Sequence, residues 1–244
     1  MIAEKLTTIA ENQQKVYDAG FTAGQTQGGG GSYDQGYTDG KQAEHDRFWD
    51  AFQQGGTRTS YNSAFEGSYW TDEAFKPKYD LNVLYAPYMF QNSSITNLKQ
   101  LLLDSGVTLD VSNATSFTYA FSNSKVTHVP FLNFAKATQI NYLFRGCKDL
   151  KEVSMFVIDG ANFTYTFGNC ESLTDLTITG SINTGLSLPN SPLLSMESVQ
   201  SIIDCLKDLT GATAQTLQLH KDVGNKLTDE QKATITAKNW NVSY

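Results

Sequence analysis

The chain is predicted to be a short α/β solenoid with a one-sided sheet, flanked by N-terminal helices and closed by a helical C-terminal cap. The first observation behind this is a recurring aromatic motif: Tyr88-Met-Phe90, Tyr119-Ala-Phe121, Tyr142-Leu-Phe144 and Tyr165-Thr-Phe167, each followed by a small residue at Ser93, Ser124, Cys147 or Cys170. The second is spacing. Phe121 to Phe144 and Phe144 to Phe167 are each 23 positions, while Phe90 to Phe121 is 31 and carries an insertion. The third is an apolar triplet at i, i+3, i+5 after the small residue: Val126, Val129, Phe131; Leu150, Val153, Met155; Leu173, Leu176, Ile178. Its last two members alternate as in a strand, so each unit sends two apolar side chains inward and buries its face only against neighbouring units.

The period lies in the window of roughly 20–29 residues of a leucine-rich repeat. Leu143-Phe144-Arg145-Gly146-Cys147-Lys148-Asp149-Leu150 and Thr166-Phe167-Gly168-Asn169-Cys170-Glu171-Ser172-Leu173 resemble the BspA-like leucine-rich repeats, whose units read A/M-F-x-x-C-x-x-L-x-x-L-x-L. The first two units depart from that pattern. They carry Ser93 and Ser124 in place of cysteine and are one residue shorter, with Phe121 to Val126 five positions and Phe144 to Leu150 six. A weaker unit stands at Ala64-Phe65-Glu66-Gly67-Ser68, as terminal repeats are commonly atypical. The resemblance implies a non-enzymatic binding or structural protein, of a kind found on bacterial surfaces and encoded by bacteriophages. Strands are expected near Leu98 and over residues 129–131, 153–155, 176–178 and 217–219 of one leucine-rich-repeat solenoid.

Four regions follow: 1–56, an N-terminal helical oligomerisation or attachment region; 57–85, an aromatic-rich cap; 86–186, the repeats; and 187–244, a helical C-terminal cap with final strands. In the first, Ile2, Leu6, Ile9, Gln13 and Val16 follow the a/d seam of a short coiled coil with one polar layer. So short a helix is marginal alone and must pack on another copy or on a second helix of the same chain. A homotrimer is the expected assembly. Tyr17-Asp-Ala-Gly20-Phe21-Thr-Ala-Gly24 and Tyr33-Asp-Gln-Gly36-Tyr37-Thr-Asp-Gly40 repeat one another, either as a helix face of rings and glycines or as a tyrosine-bearing connector. Residues 28–32 are a flexible linker by composition, native or engineered. Ala43, Phe48, Ala51 and Phe52 form an apolar helix side before Gly55-Gly56, and Glu44, Asp46, Arg47 and Asp50 opposite them read as a solvated face. Trp70, Phe75 and Tyr79 read as the N-terminal cap over the first unit.

Beyond Gly180 the period is lost. Leu186-Ser187-Leu188-Pro189 keeps an apolar alternation, and Ser195 opens a helix whose Met196, Val199, Ile202, Ile203, Leu206 and Leu209 make one stripe before Gly211. Thr216-Leu-Gln-Leu219 reads as a strand, Thr228-Asp-Glu-Gln231 as a capping box, and Trp240-Asn-Val242 as a closing strand.

A formal charge of −7 with no basic cluster argues against a nucleic-acid partner. Cys147, Cys170 and Cys205 form no C-x-x-C pair, and His45, His128 and His220 lie far apart, so no metal or other cofactor is expected. No Ser-His-Asp, Cys-His or paired-carboxylate spacing suggests an enzyme. The start of the chain does not read as a secretion signal, and no segment reads as membrane-inserted. These features favour a virion- or tail-associated protein assembled in the bacterial cytoplasm, contacting other phage structural proteins or a host-surface protein or glycan. The alternative is an interaction module, cytoplasmic or at the cell surface, that is not part of a virion.

Alternation places the residues beside the buried ones outward: His128, Pro130 and Leu132; Glu152, Ser154 and Phe156; Asp175, Thr177 and Thr179; Thr216, Gln218 and His220. They are the expected partner surface. Leu132 and Phe156 stand out as two large apolar groups turned toward solvent, or toward an insertion folded over them.

Overall fold

The computed structural model describes Tyr61 and residues 64–68 and 70–244. The coiled-coil seam (Ile2, Leu6, Ile9, Gln13, Val16), the Tyr17 and Tyr33 repeats and the helix after Gly40 lie outside the described residues.

Each rung is built on two backbone reversals. Tyr88, Tyr119, Tyr142 and Tyr165 have φ between 52° and 60°, and four residues on stand Asn92, Asn123, Gly146 and Asn169, with φ between 56° and 77°. Both belong to the left-handed region, where asparagine and glycine are the ordinary occupants. Between these reversals the phenylalanine is turned inward. Its N–H reaches the next rung: Phe65 donates to the Met89 carbonyl at 2.7 Å, Phe90 to Ala120 at 2.6 Å, Phe121 to Leu143 at 2.9 Å and Phe144 to Thr166 at 2.9 Å. Ladder bonding of this kind brings the rings into one buried column, Phe65, Phe90, Phe121, Phe144 and Phe167, stacked at centroid spacings of 5.1, 5.1, 5.2 and 5.8 Å. Among the described residues Phe65 therefore heads the column, and the weak unit around it joins the stack.

The small residue behind each ring closes the turn. The Cys147 thiol donates to the Phe121 carbonyl at 2.9 Å, and the Cys170 thiol to the Phe144 carbonyl at 3.2 Å. Ser124 Oγ lies 3.5 Å from Cys147 Sγ. Cysteine and serine share this row because it takes a compact side chain in a buried, apolar setting.

The strands form mixed α/β architecture with small parallel sheets. β1 (Leu81–Asn82) pairs with β2 (Leu109–Asp110); β3 (Leu132–Asn133), β4 (Glu152–Val157) and β5 (Asp175–Gly180) form a second sheet in that order; β6 (Leu186–Leu188), β7 (Gln215–Leu219) and β8 (Trp240–Ser243) form a third. All pairings are parallel, and β4 and β5 run in register from Glu152↔Asp175 to Val157↔Gly180. The register ends abruptly at Gly180, whose φ is 96° and where any Cβ would collide with the Val157 carbonyl oxygen.

Near Leu98 the chain is helical, not extended. Asn97 bridges His128 as a strand residue would, and helix α1 (Leu98–Ser105) then begins. The Asn97 side chain accepts the Gln100 N–H, Leu98 and Leu102 bury one face, and Gly106 at φ 64° ends the helix. The eight residues of α1 equal the excess of the 31-residue interval over the 23-residue period. Capping and i, i+4 burial outweigh strand pairing here.

At the other end, helix α2 (Met196–Cys205) lies against β5 where another strand would pair. Ser198 Oγ accepts the Leu176 N–H at 2.8 Å and Ser201 Oγ accepts the Ile178 N–H at 3.0 Å, so the sheet edge is satisfied by side chains. In consequence residues 217–219 do not extend the β3–β5 sheet as the sequence suggests. They pair in β7 with Leu186–Leu188 and with β8. Helix α3 (Lys221–Gly224) and helix α4 (Asp229–Ala237) follow β7, the latter opened by a complete capping box of Thr228 and Gln231. Val199, Ile202 and Ile203 of α2 are buried, as are Leu206 and Leu209, but the helix ends at Cys205 and not before Gly211: Leu206 is extended and bridges Ile182, so the stripe outruns the helix. Among the described residues no helix is long and apolar enough to cross a membrane.

Candidate functional site

Two surfaces result from this ladder. The first is the outer face of β3–β5, where the sequence places a partner surface. Register aligns His128, Glu152 and Asp175 in one row and Asn133, Phe156 and Thr179 in another, with Ser154 beside Thr177 between them. Asp175, Thr177 and Thr179 are exposed, and His128, Pro130, Glu152, Ser154 and Phe156 are half-buried. Lys99 reaches Glu152 at 2.9 Å, so the α1 insertion contributes a charge to the row.

Leu132 is not on this surface. Its side chain is fully buried and pairs with Met155, whereas Phe131, expected inside, is 53 % exposed. From His128 to Leu132 the chain advances four residues while its neighbour advances three, from Glu152 to Met155. The extra residue is a bulge at Pro130 and Phe131, where proline has no N–H to give to a ladder. It reverses the alternation beyond it. It also restores the residue missing earlier in the rung: Phe121 to Leu132, Phe144 to Met155 and Phe167 to Ile178 are all 11 positions. Phe156 consequently stands beside Asn133, not Leu132, and its ring lies over Gly180, 3.2 Å from where a Cβ would be.

Thr216, Gln218 and His220 do not continue these rows, since β7 belongs to the other sheet. Thr216 is exposed beside Asn241, and Gln218 accepts from Ser187 Oγ at 2.6 Å. His220 caps α3, its Nδ1 accepting the Asp222 N–H at 3.1 Å. The Gln218 and His220 side chains serve local structure.

The second surface is a tyrosine ladder that the sequence reading treats only as a marker of the repeat. Tyr88, Tyr119, Tyr142 and Tyr165 stack face to face, with centroids 5.4, 4.4 and 5.3 Å apart and planes within 14°, 4° and 22° of parallel. The end members are exposed, Tyr165 by 59 %, while the inner two are half-buried. Immediately before them run Thr118, Asn141 and Thr164; Thr118 Oγ1 donates to Asn141 Oδ1 at 3.2 Å. The Tyr142 phenol is held above its ordinary pKa by desolvation and then by the neighbouring Tyr119, while Arg145, 6.0 Å from the Tyr142 ring centroid, pulls the other way. The signal was present as the recurring Tyr-x-Phe: a reversal at the tyrosine turns it out while the phenylalanine turns in.

The thiols offer no chemistry at either surface. Burial pushes Cys147 up to about 12, and Cys170 is raised for the same reason with the neighbouring Cys147 adding to it. Among the described residues no group of three His, Cys, Asp or Glu side chains stands where it could hold a metal ion. Compared with protein-family models, with curated proteins and with solved structures, the chain matches none.

Proposed function

We propose that the chain is a non-enzymatic binding protein whose residues 61–244 form a short leucine-rich-repeat solenoid of BspA-like kind, displayed on a virion or phage tail and recognising a host-surface component. The observation that carries this reading is the row structure of the β3–β5 face. Its outward side chains repeat in register on a backbone braced by five stacked phenylalanines, so a partner meets a preformed surface and little ordering is needed on binding. The N-terminal seam of Ile2, Leu6, Ile9, Gln13 and Val16 supplies self-association in this reading, as a homotrimer. The resemblance of the repeats supports the virion placement.

Two measurements test it. Mass spectrometry of purified particles from a producing strain is expected to find the chain; recovery only from the lysate overturns the virion placement and leaves an intracellular module. Adhesion of the purified full chain to intact host cells is expected, and the double variant Asp175→Arg/Thr177→Arg should weaken it at least tenfold, because both are exposed outward side chains of β5, the last strand of the face. Unchanged adhesion in a folded double variant removes this face from the function.

A further inference from the structure

The tyrosine ladder is costlier than a turn requires. All four tyrosines sit in the left-handed region, at φ 60°, 59°, 59° and 52°. For a bulky aromatic residue this is a true outlier, and such strain concentrates at ligand clamps and binding sites. The same rungs show the inexpensive solution four residues later, where Asn92, Asn123, Gly146 and Asn169 make the second reversal. Ring stacking offsets part of the strain within the ladder. It does so least at the two ends, Tyr88 and Tyr165, each with one stacked tyrosine neighbour, and of these Tyr165 is the more open, with 59 % of its surface exposed.

What lies beside the rings narrows the partner. The row Thr118, Asn141, Thr164 that precedes the last three tyrosines is uncharged in a chain of formal charge −7, and it offers a hydroxyl or amide group at each of those rungs, Pro87 standing before Tyr88. The inner rings spend their faces on one another and present edges and phenol hydroxyls, while Tyr165 presents a ring surface at the end of the stack. Arg145 stands 6.0 Å from the Tyr142 ring centroid, and this one guanidinium beside four rungs gives an extended nucleic acid, an anionic membrane or an acidic peptide little counter-charge to bind. A polymer with many neutral hydroxyls along its length and apolar C–H faces on its rings finds both kinds of contact. The rungs advance by 4.4 to 5.4 Å, close to the advance of one sugar in an extended hexose chain. The geometry points to the tyrosine ladder as a docking strip for a neutral hexose polymer lying along the repeat axis, with Tyr165 stacking on a sugar ring and the phenols and the threonine–asparagine row taking its hydroxyls. This deepens the binding function proposed above and rests on it, but it uses a different surface from β3–β5.

Calorimetric titration of the full chain with cellohexaose, mannohexaose and oligogalacturonate tests it. Binding of at least one neutral hexasaccharide is expected, with none of the galacturonate. Tyr165→Asn should weaken it at least tenfold; asparagine adopts the left-handed turn readily, so the variant keeps the backbone and loses only the ring. Tyr142→Phe keeps every stacked ring, removes one phenol and should weaken binding by several-fold. Absence of binding to both neutral sugars, a preference for galacturonate, or wild-type binding in both variants overturns the assignment. Host-cell adhesion separates the two readings. Adhesion that survives the tyrosine variants and fails in Asp175→Arg/Thr177→Arg removes the ladder and keeps the β3–β5 face. Sugar binding without host adhesion removes the host reading and keeps the ladder.

Discussion

Cys147 and Cys170 occupy one row of the ladder, each with its thiol on the carbonyl of the preceding rung, and neither exposes surface to solvent. Burial holds both pKa values above that of an unfolded thiol, and Cys147 reaches about 12. The folded chain therefore retains protons that the unfolded chain releases. Stability is fully present below the unfolded thiol pKa of ~8.5 and declines above it, by about 1.4 kcal/mol per pH unit for each thiol until the folded group titrates. Denaturant midpoints between pH 8 and pH 10.5 are expected to fall accordingly, and replacing both cysteines by serine should remove most of that slope. Under native conditions a thiol reagent should modify the half-buried Cys205 first and the other two only on unfolding.

At the scale of the element, α2 does for β5 what a further strand does for β4. Two serines one helical turn apart meet two strand N–H groups two residues apart, and Ser201 Oγ returns its proton to the Ile178 carbonyl at 3.0 Å. Replacing either serine by alanine leaves a strand N–H without that acceptor, at a cost of about 1–3 kcal/mol for a buried donor. Ser198→Ala should be the worse of the two, because Ser198 also joins the N-cap residue Ser195 at 2.8 Å and lies 3.4 Å from the Thr174 carbonyl. Chemical denaturation of the two single variants and the double variant checks this, and faster amide exchange at Leu176 and Ile178 should accompany the loss. Helix α1 follows the same principle at the insertion. Its cap and its two buried leucines let eight residues leave the ladder between Asn97 and β2 without breaking the phenylalanine column.

For the whole molecule the phenylalanine column is the common support. Phe144 stacks on Phe121 at 5.2 Å and on Phe167 at 5.8 Å, and it is wholly buried. Phe144→Ala removes both contacts and leaves a cavity inside the column, costing about 3–5 kcal/mol. Set against a net stability on the order of 5–15 kcal/mol for a domain, that is enough to unfold a marginal array. A large fall in thermal midpoint is expected, with loss of both candidate surfaces together, since the tyrosine ladder and the β3–β5 rows take their spacing from this column. A small change would show that each rung is held mainly by its backbone ladder.

Sequence periodicity alone determined what each rung does locally. The inward phenylalanine and the small buried residue behind it recur at a readable interval, because a unit that buries one face against identical neighbours must place the same groups at the same positions. The capping box at Thr228 and the buried side of α2 at Val199, Ile202 and Ile203 were legible for the same reason, being short-range patterns, whereas the end of that helix at Cys205, before Leu206 and Leu209, was not. Tertiary structure decided the rest. Whether the residues after Asn97 continue as strand or helix depends on the neighbours offered to them. The bulge at Pro130 becomes visible only when His128 and Leu132 are set against Glu152 and Met155, and it moves Leu132 inside and Phe131 out. Termination of the sheet by Ser198 and Ser201, the assignment of Leu217 and Leu219 to a separate sheet, and the stacking of four tyrosines 23 or 31 positions apart are contacts between distant residues. One-dimensional spacing announces such contacts only after the rungs are laid on one another, because side-chain direction within a rung is local while the partner it meets belongs to the next.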